Sequence, residues 1–432
     1  MSVRLGVTVM LALVGGCAAE EPKPEVKAEA PVEPAWTPPV PVQEPLVGGP
    51  SPTLLLAQSQ FYKKPGDKKP IPGAALLVIW RQGADGKWTS TRLEDAESNV
   101  FHKAMPFQGG ILTIGAEKAR LKKWTFADGK WASETLWAPE PWGGKFNRLR
   151  DVEVGDVNGD GQDDIVMATH DSGVVAVGSM VDGKLVVTEM DKKADTFVHE
   201  IEIGDVDGDG KNEFFATPSA RNQSSGKSQA GQIVMYKWDG TTYVRSMVED
   251  LTDSHAKEIL AVNLDPKAKK PKTTFFGSIE AHTEIENGAA VEKSPVEIRH
   301  YIPQKDGTFK HEVAATIPNA RQNRFLCPGD FDGDGQIEIM AAAMKTGIYV
   351  LEHEKGESWT STNIESNSSG FEHTCFGADL DGNGTPELYV AADDQKELRR
   401  YAWNAETKAY DKTVIGPIQA DTITWNMTAG SF

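Results

Sequence analysis

The chain has 432 residues, 39% hydrophobic and 25% charged, a composition that excludes wholesale disorder. Its net charge of -18 excludes a general affinity for nucleic acid or anionic membrane surfaces and suits the capture of cations. Three cysteines are too few for a disulfide scaffold, whereas 41 glycines and 25 prolines in turn-like clusters favour an all-β chain.

Residues 1–16 read as a secretory signal: Arg4 gives a positive start, Leu5 to Val14 is an apolar core too short to span a bilayer, and Gly15 and Gly16 are small. The run Val14-Gly15-Gly16-Cys17 resembles a bacterial lipobox. The resemblance implies that Cys17 becomes a lipidated first residue in the cell envelope. With Ala18 and Ala19 behind it and no Asp, it implies sorting to the outer membrane or cell surface. A plain signal peptide cut near Ala18 or Ala19 is the alternative. No later run approaches 18 apolar residues, so the lipid is the expected membrane anchor. Residues 17–52 are dominated by Pro, Glu, Val and Ala and read as an extended tether. Residues 53–432 form the folded part.

That part repeats. Gly155-DVNGDGQDD-Ile165, Gly204-DVDGDGKNE-Phe214, Gly329-DFDGDGQIE-Ile339 and Ala378-DLDGNGTPE-Leu388 align without gaps. The first and second copies are 49 residues apart, as are the third and fourth. The wider middle gap holds a degenerate copy around Glu258 to Lys267 with a broken loop. Oxygen-bearing side chains stand at loop positions one, three and five: Asp156, Asn158 and Asp160; Asp205, Asp207 and Asp209; Asp330, Asp332 and Asp334; Asp379, Asp381 and Asn383. A glycine at position six permits the sharp turn. Position seven (Gln162, Lys211, Gln336, Thr385) offers a backbone carbonyl, and position nine (Asp164, Glu213, Glu338, Glu387) a carboxylate. Alternate residues of a tight loop face one centre, and such hard oxygens suit Ca²⁺, about four ions in all. An EF-hand would need its acid at position twelve and a helix behind it; here the acid comes at nine and β-like residues follow. A solvated acidic turn is the alternative for a single copy.

The pattern resembles the FG-GAP/VCBS repeats of integrin α-like β-propellers. The resemblance implies that each loop joins the first and second strands of a blade, on the face opposite the usual ligand face. Paired aromatics recur across the later strands (Trp80 and Trp88, Trp124 and Trp131, Trp238 and Tyr243, Trp403 and Tyr410) and read as blade-to-blade packing rather than a sugar-stacking surface. Six full copies run from about 98 to 417. Residues 53–95 hold three strands without a first, and Thr422 to Met427 supplies an orphan first strand. The expected fold is therefore an all-β, seven-bladed propeller of four-stranded blades, closed by the two chain ends sharing one blade.

Six residues before each loop, a basic side chain recurs: Arg150, His199, Lys257, Arg324 and His373, with His102 or Lys103 in the copy that lacks a loop. Innermost strands line the central channel, so these groups converge on one funnel mouth. They read as a pocket for an anionic glycan or an envelope protein partner, with arginine forks gripping acidic groups. Two alternatives stand beside this. Each basic group could pair with an acid such as Glu200, Glu258 or Glu372 and staple blades together, or His102, His199 and His373 could hold a transition metal. No GxSxG, HExxH or Walker motif is present. A binding module is expected, acting as a monomer. A polysaccharide lyase-like enzyme using the basic ring is the alternative. The Gly277–Arg299 insertion, with Glu280, His282, Glu284 and Glu286, reads as a solvated charged loop. Cys327 and Cys375, on neighbouring innermost strands, are either free thiols or a disulfide.

Overall fold

A computed structural model describes residues 36–116, 120–138, 148–170, 173–223, 225–268, 273–353 and 358–431. The signal segment and Cys17 lie outside the described residues. Within them every regular element is a strand, and no helix is long and apolar enough to cross a membrane.

Seven four-stranded antiparallel sheets form the blades. Blade 1 is built from both chain ends: Thr422–Ser431 is innermost and pairs with Pro52–Tyr62, followed by Ala75–Gln82 and Trp88–Asp95. Blades 2 to 7 each run outward in chain order. Their innermost strands are Phe101–Phe107, Leu149–Gly155, Thr196–Gly204, Ala256–Asn263, Asn323–Gly329 and Cys375–Ala378. Successive innermost strands touch one another around the ring, including the last against the C-terminal strand. The closing blade is the one expected from the sequence.

The burial pattern explains why these residues form these strands. Second strands such as Gly110–Gly115, Glu338–Ala343 and Glu387–Ala392 are buried along their whole length, because both faces press on neighbouring blades. Fourth strands such as Lys184–Asp191 and Thr360–Glu365 contain no fully buried residue. The core is a ring of seven apolar clusters, one at each blade-to-blade contact. Trp80, Trp88, Trp124, Trp131, Tyr243 and Tyr410 belong to this packing, whereas Trp238 and Trp403 lie outside the seven clusters. Trp88 meets Tyr389 of blade 7 edge-on at 6.2 Å, while Trp124 meets Phe101 of its own blade at 6.4 Å. Burial of large rings such as these adds favourable apolar area to the blade contacts they join.

Two local features go beyond the sequence reading. Residues 42–47, at the end of the proline-rich stretch, lie along the outermost strand of blade 1: Gln43 bridges Leu93, Glu44 N donates to Arg92 O, and Arg81 donates to Val47 O. In blade 5 the insertion forms a hairpin, His282–Glu286 with Ala289–Ser294. It packs on the long blade 4 connection, where Thr283 N donates to Ser228 Oγ at 2.8 Å.

Candidate functional site

The antiparallel course of each blade separates two faces. Connections from first to second strand lie on one face, and the starts of the innermost strands lie on the other.

On the first face, all four acidic loops sit where the repeat places them. Each first strand ends at Gly155, Gly204, Gly329 or Ala378, and each second strand begins with the position-nine acid, Asp164, Glu213, Glu338 or Glu387. Glycines at positions four and six have positive φ, as at Gly333 and Gly335 (75° and 95°), a geometry other residues adopt only under strain. Position-nine carboxylates accept from the position-two amide, at 2.7 Å for Phe331 N to Glu338. At position seven, the amides of Gln162, Lys211, Gln336 and Thr385 donate to the position-five side chain.

The loops differ in what they gather. In blade 6, one carboxylate oxygen each from Asp330, Asp332, Asp334 and Glu338 lies within 4.8 Å of the others. Blade 4 brings together Asp205, Asp207 and Glu213, and blade 7 Asp379, Asp381 and Glu387. In blade 3, Asp164 is engaged by Ser179 Oγ and by Asn158 Nδ2, and among the described residues no trio of acids meets as closely. Burial, reinforced by the charges of Asp332, Asp334 and Asp330, pushes the Glu338 carboxyl up to about 8. Asp330 Oδ1 is buried without a hydrogen-bond partner. A hard cation would answer both deficits, so the donor set fits an oxygen-coordinated metal ion.

On the opposite face, a cavity of about 530 Å³ lies at the channel mouth. Its wall includes His102, Arg150, His199, Lys257 and Arg324, five of the six basic residues singled out from the sequence. A repeated backbone device delivers them. In blades 2 to 6 the pairing of first and second strands slips by one residue at this point: Arg150 is skipped between Leu149 and Asp151, and His102 and Lys257 are skipped likewise. The register shifts across His199 and Arg324 in the same way. Such a bulge re-aims the side chain it carries. Blade 1 has the same slip, and there the skipped residue is Trp425, which also lines the cavity. Trp425 meets His102 edge-on at 5.1 Å, and the Arg150 guanidinium lies 5.7 Å from its ring centre.

Blade 7 departs from the pattern. Its innermost strand begins only at Cys375, and His373 has a φ of 54°. The structure therefore does not bring His373 to the mouth. Its Nδ1 donates to Ala343 O at 2.9 Å, its Nε2 takes Ser368 Oγ, and Glu372 faces the cavity instead. The trio of His102, His199 and His373 is not assembled. Lys103, the alternative to His102, turns to a second cavity and pairs with Asp151 at 2.9 Å and with Glu153.

The basic ring is also a set of staples. Arg324 lies 2.9 Å from Glu200 and 2.6 Å from Glu372; Arg150 lies 3.8 Å and 3.4 Å from the same two acids. This cluster ties blades 3, 4, 6 and 7 across the channel. Arg150, Arg324 and Glu372 line the mouth, whereas Glu200 lines the second cavity, of about 400 Å³, together with Glu202 and Glu258. The cluster therefore stands between two chambers, one basic and one acidic. Lys257 pairs with Glu280 rather than Glu258, at 3.7 Å. Glu280 is only 3% exposed and also takes His255 and Arg321, which corrects the reading of that insertion as wholly solvated. Burial holds His102, His199 and His255 well below the usual histidine range, so they are neutral at pH 7. Burial raises the Glu372 carboxyl, against the pull of Arg150 and Lys257. Cys327 and Cys375 are buried free thiols in the wall of the second cavity.

Fold and repeat together define the class: a seven-bladed β-propeller. Residues 330–390 match the family model described as FG-GAP-like repeat, spanning the loop and last three strands of blade 6 and the first strand, loop and most of the second strand of blade 7. The match is to this stretch of the propeller, and it carries the third and fourth acidic loops. No curated protein sequence matches it significantly. Among solved structures it is similar to a putative 6-phosphogluconolactonase from Bacteroides fragilis, with 14% identity, 88% of this chain and 98% of that chain covered, and a TM-score of 0.51. A putative 6-phosphogluconolactonase from Bacteroides uniformis gives 13% identity, 88% and 99% coverage, and 0.52. A cobalt-substituted Synechocystis ACO gives 10%, 89% and 94%, and 0.51. At these identities the likeness concerns the fold alone.

Proposed function

We propose that the protein is an envelope-anchored, calcium-stabilised propeller that binds an anionic glycan at its basic mouth. The carrying observation is the repeated bulge, which turns His102, Arg150, His199, Lys257, Arg324 and Trp425 from six blades toward one cavity. An aromatic ring beside a guanidinium, in a cavity that an ammonium group also lines, suits a sugar bearing carboxylate, sulfate or phosphate. The ring takes the apolar sugar face, and the cations take the acid. Phe371, 48% exposed and 6.0 Å from Trp425, extends the aromatic surface at the rim. The Arg–Glu cluster closes the cavity beneath, so a chain end or short acidic branch fits better than a threaded polymer. Lipidation at Cys17 would hold this mouth at the outer membrane or cell surface.

Calcium belongs to the other face, with sites of the extracellular class at about 10⁻⁴ to 10⁻³ M. Ions bound to the folded state alone stabilise it by mass action, so chelation lowers the melting temperature. An array of anionic and neutral glycans, probed in millimolar calcium, tests the binding reading. The expected result is an acidic-sugar hit that weakens with salt and is lost in Trp425→Ala. A blank array sinks the glycan reading and points to envelope proteins. One feature favours a second reading, a lyase-like reaction: His199, which burial keeps neutral, lines the same cavity as Lys257 and Arg150, as a base for a carboxylate-bearing sugar would. Release of unsaturated sugar from an array hit would establish that reading; unchanged substrate would discard it.

A further inference from the structure

The four acidic loops share one sequence pattern but not one electrostatic environment, and the third strand of each blade makes the difference. In blade 4, Phe214 pairs with Tyr236, which places Lys237 next to the loop. Lys237 Nζ contacts Asp207, lies 2.8 Å from Asp209 Oδ2 and 3.2 Å from Glu213 Oε1. In blade 7, Arg400 Nη2 contacts both Asp381 and Glu387. Each of these loops thus already holds a positive group among the oxygens a metal ion would use.

Blade 6 is built the other way. Ile339 pairs with Leu351, so the residue at the place of Lys237 is Glu352. Partial burial and the charges of Asp332 and Asp334 hold its carboxyl above the usual range. No basic side chain pairs with Asp330, Asp332, Asp334 or Glu338 among the described residues. Lys267 of blade 5 reaches the rim at Gly335, where an added Cβ would lie 2.6 Å from its Nζ, but among the described residues no ion pair joins it to a carboxylate. Asp330 differs from its counterparts too. The position-four and position-six amides donate to Asp156, Asp205 and Asp379, while Asp330 Oδ1 has no partner.

We propose that Lys237 and Arg400 are resident counter-cations of the blade 4 and blade 7 loops, and that the blade 6 loop is the site a divalent cation fills first and most tightly. This rests on the calcium reading given above. A cation entering blade 4 or blade 7 must displace a charged side chain from two or three carboxylates, whereas in blade 6 it meets four acids and a fifth nearby. Ligand charge count and site rigidity are what set affinity in such sites. Blades 4 and 7 therefore keep their loops neutralised when calcium falls, and blade 6 carries the calcium dependence of the fold.

The test is calorimetric titration of the intact protein with calcium ion alone, repeated for Lys237→Met, Arg400→Met, Asp332→Asn and Glu338→Gln. The wild type is expected to show one tight site, at least about tenfold tighter than any other. That site should vanish in Asp332→Asn, whose partly exposed position spares the core, and in Glu338→Gln. Lys237→Met should add a second tight site and should melt lower than wild type in chelator but not in calcium. Equal affinity at several sites, or a Lys237→Met titration identical to wild type, overturns the grading while leaving the calcium reading intact. A wild type that binds no calcium at millimolar concentration overturns the calcium reading, and the grading with it.

Discussion

The Arg–Glu cluster across the channel makes the sharpest prediction. Glu372→Gln keeps side-chain size and removes one charge. Glu372 is 3% exposed and serves two guanidiniums, Arg324 at 2.6 Å and Arg150 at 3.4 Å. After the change only Glu200 remains to them, at 2.9 Å and 3.8 Å. Removing one partner of a buried ion pair costs about 3–5 kcal/mol. Glu200 persists and the mouth cavity admits water, so the lower end applies, about 3 kcal/mol. Unfolding entropy of about 2.1 cal/mol/K per residue over a fold of roughly 390 residues is about 0.8 kcal/mol/K, which makes the expected fall in melting temperature about 4 °C. Urea denaturation and calorimetry read this directly. Arg324→Met alone should also destabilise. The double variant should lose less than the sum of the two, with a coupling of at least about 1 kcal/mol. The same substitution leaves Arg150 and Arg324 short of an acceptor, so an acidic glycan should bind tighter. A change within about 0.5 kcal/mol, with additive double-variant behaviour, would refute the cluster as a staple.

Three further outcomes follow from particular residues. Burial lowers His373 to about 4, below its unfolded value, so stability drawn from the neutral ring is lost as pH falls from about 6.5 toward 4. Relative to His373→Gln, the wild type should lose about 3 kcal/mol across that window, and a flat or rising difference would contradict it. Gly347 has a φ of 102° and an added Cβ would lie 1.9 Å from Glu365 O, so Gly347→Ala should cost about 3 kcal/mol in denaturant melts. Trp425→Ala should abolish or weaken binding of an acidic glycan by at least about tenfold, measured by titration, whereas Trp425→Phe, which keeps an aromatic face, should retain most of it.

Much of the architecture was readable because the repeat is written in side chains. A loop that needs acids at positions one, three and five, glycine at six and an acid at nine leaves a mark that survives four times. The orphan strand at Thr422 followed from counting strands. The mouth was half readable: the six-residue offset found Arg150, His199, Lys257 and Arg324, because bulges occur at the same place in blades 3 to 6. It misplaced His373, since blade 7 lacks the paired strand start on which that offset depends. It missed Trp425, whose blade has no acidic loop to align on. Glu280 went unread as a hub because its charge-rich surroundings resemble a solvated loop.

The sequence by itself determined the strand periodicity, the acidic loops, the blade count and the closure by the chain ends, all of which are local patterns repeated along the chain. Only the tertiary structure decided which charges meet. Arg150 and Glu372 are 222 positions apart, and Lys237 reaches Asp207 from 30 positions away on another strand. Such pairs depend on how the ring closes and on strand register, where a shift of one residue turns a side chain to the other face. That is why four loops with one pattern acquire different electrostatics, and why one ring of basic residues is at once a wall for a ligand and a clamp across the channel.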